Sequence, residues 1–190
     1  SRLSARDFPD GGRTAVQTVC EVKMRNLTMI GMPSSGKSVI GVLLAKRLGM
    51  SFLDLDLLIQ ERSGKLLRQL IEEHGREGFL RIEEGYASAL SVQNTVISPG
   101  GSICYEREAM RHLREISTII YLDISYPEME RRIGDVTARG VAIPEGYTLL
   151  DLYRERAALY EKDADIRIDE EGLSPEETAE RIIELLGKRG

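Results

Sequence analysis

The chain has only two cysteines, Cys20 and Cys104, far apart and outside any CxxC or Cys/His ligand pattern. Neither a disulfide framework nor a zinc site is suggested, and a reducing, cytoplasmic compartment is the expectation. No stretch approaches the roughly 18 consecutive apolar residues of a membrane span, and no basic-then-apolar signal opens the chain, so no membrane partner is expected. Positive charge is not in excess either. The 26 Lys+Arg stand against 31 Asp+Glu, a net charge of -5, which argues against a protein that coats nucleic acid through its bulk field. Any basic site has to be local. Internal repeats and low-complexity tracts are missing too. What remains is a chain of 190 residues, 42% hydrophobic and 30% charged, the size of one domain with a sizeable core.

Residues 1–23 mix charge, glycine and proline without sustained periodicity and read as an extension or tag, leaving 24–190 as the expected domain. From Met24 short apolar runs alternate with amphipathic stretches, the pattern of a parallel sheet covered by helices. Strands are expected at Leu27–Ile30, Ser51–Leu53, Thr95–Ser98, Thr118–Leu122 and Ile166–Ile168. Apolar residues at helical spacing predict helices over Lys37–Leu48 and Glu77–Leu90. A last helix, Pro175 to about Lys188, is announced by Ser174, Pro175 and Glu177 as a capping box with an early proline. Gly134, Gly140, Pro144 and Gly146 break the rhythm over 134–147, and a long loop in a small domain reads as a lid.

Gly31-Met32-Pro33-Ser34-Ser35-Gly36-Lys37-Ser38 matches G-x-x-x-x-G-K-[ST] between an apolar strand and an amphipathic helix, the context this motif requires. Its glycines let the backbone turn so that successive N–H groups and the helix N-terminus converge on one anion. Lys37 would reach the β- and γ-phosphates of a nucleotide, and the Ser38 hydroxyl would take a Mg²⁺ position. The motif alone does not decide between a kinase, an NTPase switch and a motor. Gly31, Ser34, Ser35 and Gly36 form the rest of the nucleotide cradle.

Further motifs follow in order: Phe52-Leu53-Asp54-Leu55-Asp56 and then an amphipathic helix; Gly75 to Glu83 with Phe79, Ile82 and Glu83; Ser98-Pro99-Gly100-Gly101-Ser102; Arg131 to Gly134; and Arg156 to Tyr160. With these the chain resembles the shikimate kinase family over nearly all of Met24 to Gly187. The resemblance implies a three-layer α/β P-loop kinase fold, with a five-stranded parallel sheet, helices on both faces and a mobile lid. ATP and Mg²⁺ are the implied cofactors, and a small hydroxy acid in a facing pocket is the implied substrate. Asp54 would hold the metal through water, and Asp56 would orient or deprotonate the attacking hydroxyl; alternation along a strand end would point the two to different sides. Gly100 and Gly101 would let backbone approach the γ-phosphate and acceptor closely. Arg139 falls at the lid-arginine position, Arg132 at the position lying against adenine, and Arg156 at the position gripping the acceptor carboxylate.

The resemblance breaks at two places, both on the acceptor side. The family pattern has a second carboxylate-clamping arginine directly after the phenylalanine, where this chain has Leu80; Arg81, one position on, is rotated by about 100° on a helix. The third glycine of the glycine turn is Ser102. Losing one charged hydrogen bond to a carboxylate is worth about 1.5–3 kcal/mol. The leading expectation is phosphorylation of shikimate. A kinase for another hydroxylated metabolite, or a nucleotide-binding regulatory module with a decayed acceptor pocket, are the alternatives. Retention of Lys37, Ser38, Asp54, Asp56, Arg139 and Arg156 speaks against decay. His74 and His112 read as solvated, Tyr105, Tyr121, Tyr153 and Tyr160 as packing residues, and the protein as a monomer without a nucleic-acid partner.

Overall fold

Strand β1, Asn26–Gly31, is buried at all six positions, as a strand covered on both faces must be. It lies at the centre of a sheet of order β2-β3-β1-β4-β5, in which every pairing is parallel. The others are β2 (Ser51–Asp54), β3 (Thr95–Ser98), β4 (Ser117–Asp123) and β5 (Ile166–Asp169). Each expected strand therefore forms, within a residue or so at its ends. This computed structural model describes residues 25–134, 141 and 143–188.

Among these residues seven α-helices connect the strands: α1 (Lys37–Leu48), α2 (Leu55–Ser63), α3 (Leu67–Ser88), α4 (Arg107–Ile116), α5 (Tyr126–Ile133), α6 (Leu149–Asp163) and α7 (Pro175–Gly187). The alternation along β4 divides the core. Ile119 and Tyr121 face the layer that also holds Leu55, Phe79 and Tyr160, whereas Ile120 and Leu122 join Ile40, Leu44 and Ile182 beneath α1 and α7. The result is the expected three-layer α/β arrangement. The capping box of α7 is present, with Ser174 Oγ accepting from the Glu177 N–H at 3.2 Å and Glu177 Oε2 accepting from the Ser174 N–H at 2.8 Å.

The helix expected at Glu77–Leu90 is the second part of a longer one. Gly75, at φ 67° and ψ 178°, interrupts α3 and restarts it at Arg76. Residues 135–140 and 142, which include the expected lid arginine Arg139, lie outside the described residues, as does the expected extension 1–23.

Candidate active site

Strand β1 delivers the phosphate-loop motif to the carboxyl edge of the sheet, where open α/β folds place their ligands. Gly36 caps α1 in the left-handed region at φ 86°, a conformation that costs glycine little and other residues more. The Lys37 side chain is buried, and its Nζ donates to the carbonyls of Gly31 and Met32 at 2.9 and 2.8 Å. Burial lowers its pKa to about 8, with Asp56 opposing and Arg156 adding to the fall. Ser38 Oγ donates to Asp54 Oδ2 at 2.8 Å and lies 3.3 Å from Ser98 Oγ. Asp54 Oδ1 accepts from the Leu57 N–H at 3.2 Å and so caps α2.

The strand ends at Asp54 and α2 begins at Leu55, which corrects the expected divergence of the two aspartates. Alternation stops with the strand; Leu55 turns into the core, and Asp54 and Asp56 line the same cleft. Burial, then the neighbouring Asp54, raises the Asp56 carboxyl to about 6, against an opposing pull from Lys37. A Cβ at position 100 would stand 2.6 Å from Glu83 Oε1 and 3.2 Å from Asp56 Oδ1, so only glycine lets the turn after β3 come this close. Tyr160 fixes the same turn by donating to the Gly101 carbonyl at 2.5 Å.

Glu83, on α3, is fully buried. It accepts a hydrogen bond from Ser102, and burial raises its carboxyl to about 7. The two departures from the family pattern are thus neighbours, since Glu83 lies three residues after Leu80 and is bonded to Ser102. Across the cleft, buried Arg156 of α6 donates from Nε to the Tyr105 hydroxyl at 3.5 Å, and its guanidinium sits 5.3 Å from the centre of that ring.

The cleft has a volume of about 330 Å³, and Ser34, Gly36, Lys37, Ser38, Asp54, Asp56, Gly100, Gly101 and Arg156 all line it. Gly31 and Ser35 belong to the loop but not to its lining; Ser35 Oγ is buried with no hydrogen-bond partner among the described residues. Arg132 does not line this cleft. It donates to Glu128 at 2.5 Å and lies 4.0 Å from buried Glu170, away from the lining. Leu80 and Ser102 line the wall, Arg81 is exposed and lies outside it. Sequence reasoning missed Arg76, which also lines the cleft; its place four residues before Leu80, one helical turn away, was the signal. It also took Tyr105 for a packing residue, whereas this ring carries two guanidinium groups. His112 is half-buried, its Nε2 2.7 Å from the Leu90 carbonyl, rather than solvated.

Residues 33–187 match the family model described as shikimate kinase. The chain belongs to the shikimate kinase family. A shikimate kinase of Nostoc punctiforme is 37% identical over 165 residues, 85% of this chain and 90% of that one. Another, from Persephonella marina, is 33% identical over 161 residues, covering 84% and 98%. Among solved structures, the Acinetobacter baumannii shikimate kinase in complex with shikimate superposes with a TM-score of 0.81 at 25% identity, over 87% of this chain and 94% of that one. The Aquifex aeolicus shikimate kinase gives 0.75 at 29%, over 86% and 97%.

Shikimate kinases are ATP-using P-loop kinases that require Mg²⁺, and this chain is a phosphotransferase acting on a hydroxyl group. The residues present fit both cofactors. The adjoining Ser38 hydroxyl and Asp54 carboxylate are the hard oxygen donors Mg²⁺ prefers. No group of three or more His, Cys, Asp or Glu that could hold a metal exists among the described residues. No helix among the described residues is long and apolar enough to cross a membrane.

Proposed function

We propose that this chain transfers the γ-phosphoryl group of MgATP to a ring hydroxyl of shikimate, giving shikimate 3-phosphate in aromatic amino-acid (chorismate) biosynthesis. The observation that carries this reading is that Lys37, Ser38 and Asp54 share one cleft with Asp56 and Arg156. A phosphate-binding loop thereby faces an acid and a cation suited to a hydroxy acid.

In this reading the loop from Gly31 through Ser34, Ser35 and Gly36 holds the phosphates with backbone N–H groups, and Lys37 turns its ammonium onto the γ-phosphate. Ser38 and Asp54 hold the cation, Asp54 through water. Bound Mg²⁺ supplies neutralisation of the β- and γ-phosphate charge. Arg156 grips the acceptor carboxylate, and Gly100 and Gly101 let the acceptor lie close to the transferred group. Asp56 accepts the proton of the attacking hydroxyl as its oxygen bonds to the γ-phosphorus and the bond to the ADP oxygen breaks. Arg139 neutralises charge developing on the transferred phosphoryl group, and the planar guanidinium of Arg132 stacks on adenine. The net charge of -5 supports the absence of a nucleic-acid partner, cysteines outside any disulfide pattern support a cytoplasmic compartment, and a lid free to swing supports a monomer.

The test is a coupled assay of ATP consumption with Mg²⁺, with and without shikimate, using Lys37→Ala as blank. Shikimate-dependent turnover lost in the blank supports the reading; ATP binding with no shikimate-dependent turnover overturns it. Leu80 in the cleft wall favours one second reading, a kinase for a different hydroxylated acid, and a substrate panel in the same assay separates the two.

A further inference from the structure

Leu80 leaves the acceptor side of the cleft without the cation that the family pattern places there, yet a second guanidinium is present. Arg76, Phe79 and Leu80 stand at i, i+3 and i+4 on α3, and all three line the cleft. Arg76 is the first residue after the break at Gly75, so the break defines the turn of helix that carries it. Its guanidinium lies 5.2 Å from the centre of the Tyr105 ring, the ring that Arg156 approaches at 5.3 Å. The 3-10 helix Gly101–Tyr105 thus carries, at its end, one aromatic ring that gathers cations from α3 and α6.

Two like charges gathered at one ring repel each other, and neither arginine forms an ion pair with a carboxylate among the described residues. Arg76 also acts on the Tyr147 hydroxyl, which is bonded to Glu155. An anion in the cleft that both guanidiniums reach offsets their charge, and a planar carboxylate matches the fork of each. Arg81 is exposed and outside the cleft, so it has no such access.

We propose that Arg76 is a specificity-determining residue which, together with Arg156 and across the Tyr105 ring, clamps the carboxylate of the acceptor, one helical turn before the position the family pattern uses. This rests on the reading that the acceptor is shikimate.

The experiment compares the full chain with Arg76→Ala, Arg76→Lys and Arg81→Ala in steady-state assays with shikimate and with its carboxamide analogue. Arg76→Ala is expected to raise KM for shikimate roughly ten- to a hundredfold, the size of one charged hydrogen bond. The KM for ATP stays unchanged and serves as the check that the variant is folded. Arg76→Lys is expected to recover only part of the loss, because a point charge lacks the fork. The parent prefers shikimate to the carboxamide, and Arg76→Ala loses most of that preference, which lost packing alone would leave intact. Arg81→Ala behaves as the parent. Adding Leu80→Arg to Arg76→Ala should restore shikimate affinity by returning the cation to the family's position. Normal shikimate KM and undiminished preference in Arg76→Ala overturn the clamp while leaving the function standing. Failure of the parent itself to use shikimate overturns both.

Discussion

Lys37, Ser38 and Asp54 are held by bonds to one another's neighbourhood and to the backbone of a single turn, whereas Asp56, Arg156 and Arg76 meet from three separate helices. The nucleotide half of the cleft is local: eight consecutive residues and one strand end supply nearly all of it. The acceptor half is assembled by tertiary packing, and it is there that the chain departs from its family and keeps carboxyls with raised pKa values. A local motif transmits its geometry with its sequence. A pocket gathered from distant segments lets one wall change while the rest stands.

The sharpest separation of the halves comes from Lys37→Ala. Its kcat is expected to fall by on the order of a hundred- to a thousandfold, the usual loss on removing a charge-stabilising donor. Shikimate binding measured by calorimetric titration stays near that of the parent. Arg156→Ala is expected to do the reverse, raising KM for shikimate roughly ten- to a hundredfold with the KM for ATP little changed.

A pH series sharpens the contrast further. The Asp56 carboxyl is raised to about 6, so it holds its proton below that pH and accepts the substrate proton only above it. The parent's kcat/KM for shikimate should fall as pH drops through about 6, and Asp56→Asn should lose this limb along with most of its activity. A pH-independent parent between 5 and 7 would show that Asp56 does not titrate near 6 in the working enzyme.

The smallest effect concerns stability. Glu106, the N-cap of α4, has no hydrogen-bond partner for either carboxylate oxygen among the described residues, and burial followed by the charges of Glu83 and Glu84 raises it to about 9. The folded state then binds this proton more tightly than the unfolded state. Its contribution to stability is complete below about pH 4.5 and is lost as pH rises toward 9. Glu106→Gln should melt roughly 2–4 °C above the parent at pH 9, with the gap closing at pH 5. A gap that does not change with pH would show that the carboxyl titrates normally.

Much of this molecule was legible from its residues. The strands announced themselves as apolar runs, α1 and α7 as periodic stretches with recognisable ends, and the phosphate loop as a motif in its proper setting. Leu80 and Ser102 line the cleft, on the acceptor side where their sequence neighbours placed them. The bond between Ser102 and Glu83 was not legible, because 19 residues separate them and only the packing of α3 against the glycine turn joins them. Tyr105 escaped for the same reason: an aromatic in a sequence says nothing of which cations will share its ring. The divergence expected of Asp54 and Asp56 failed because strand periodicity was carried one residue past the strand. Gly75 was noted only as the start of a motif, although its backbone decides where the second part of α3 begins.

Asp54 offers one last lesson, about which changes the chain can tolerate. One of its oxygens takes the Ser38 hydroxyl while the other holds the first turn of α2, the helix on which Asp56 rides. Glutamate is a methylene too long to do both, and asparagine would turn an amide toward one of the two donors. Position 54 should therefore stay closed in a saturation survey although its side chain is only half-buried, while Leu57, 62% exposed on the same turn, accepts almost anything.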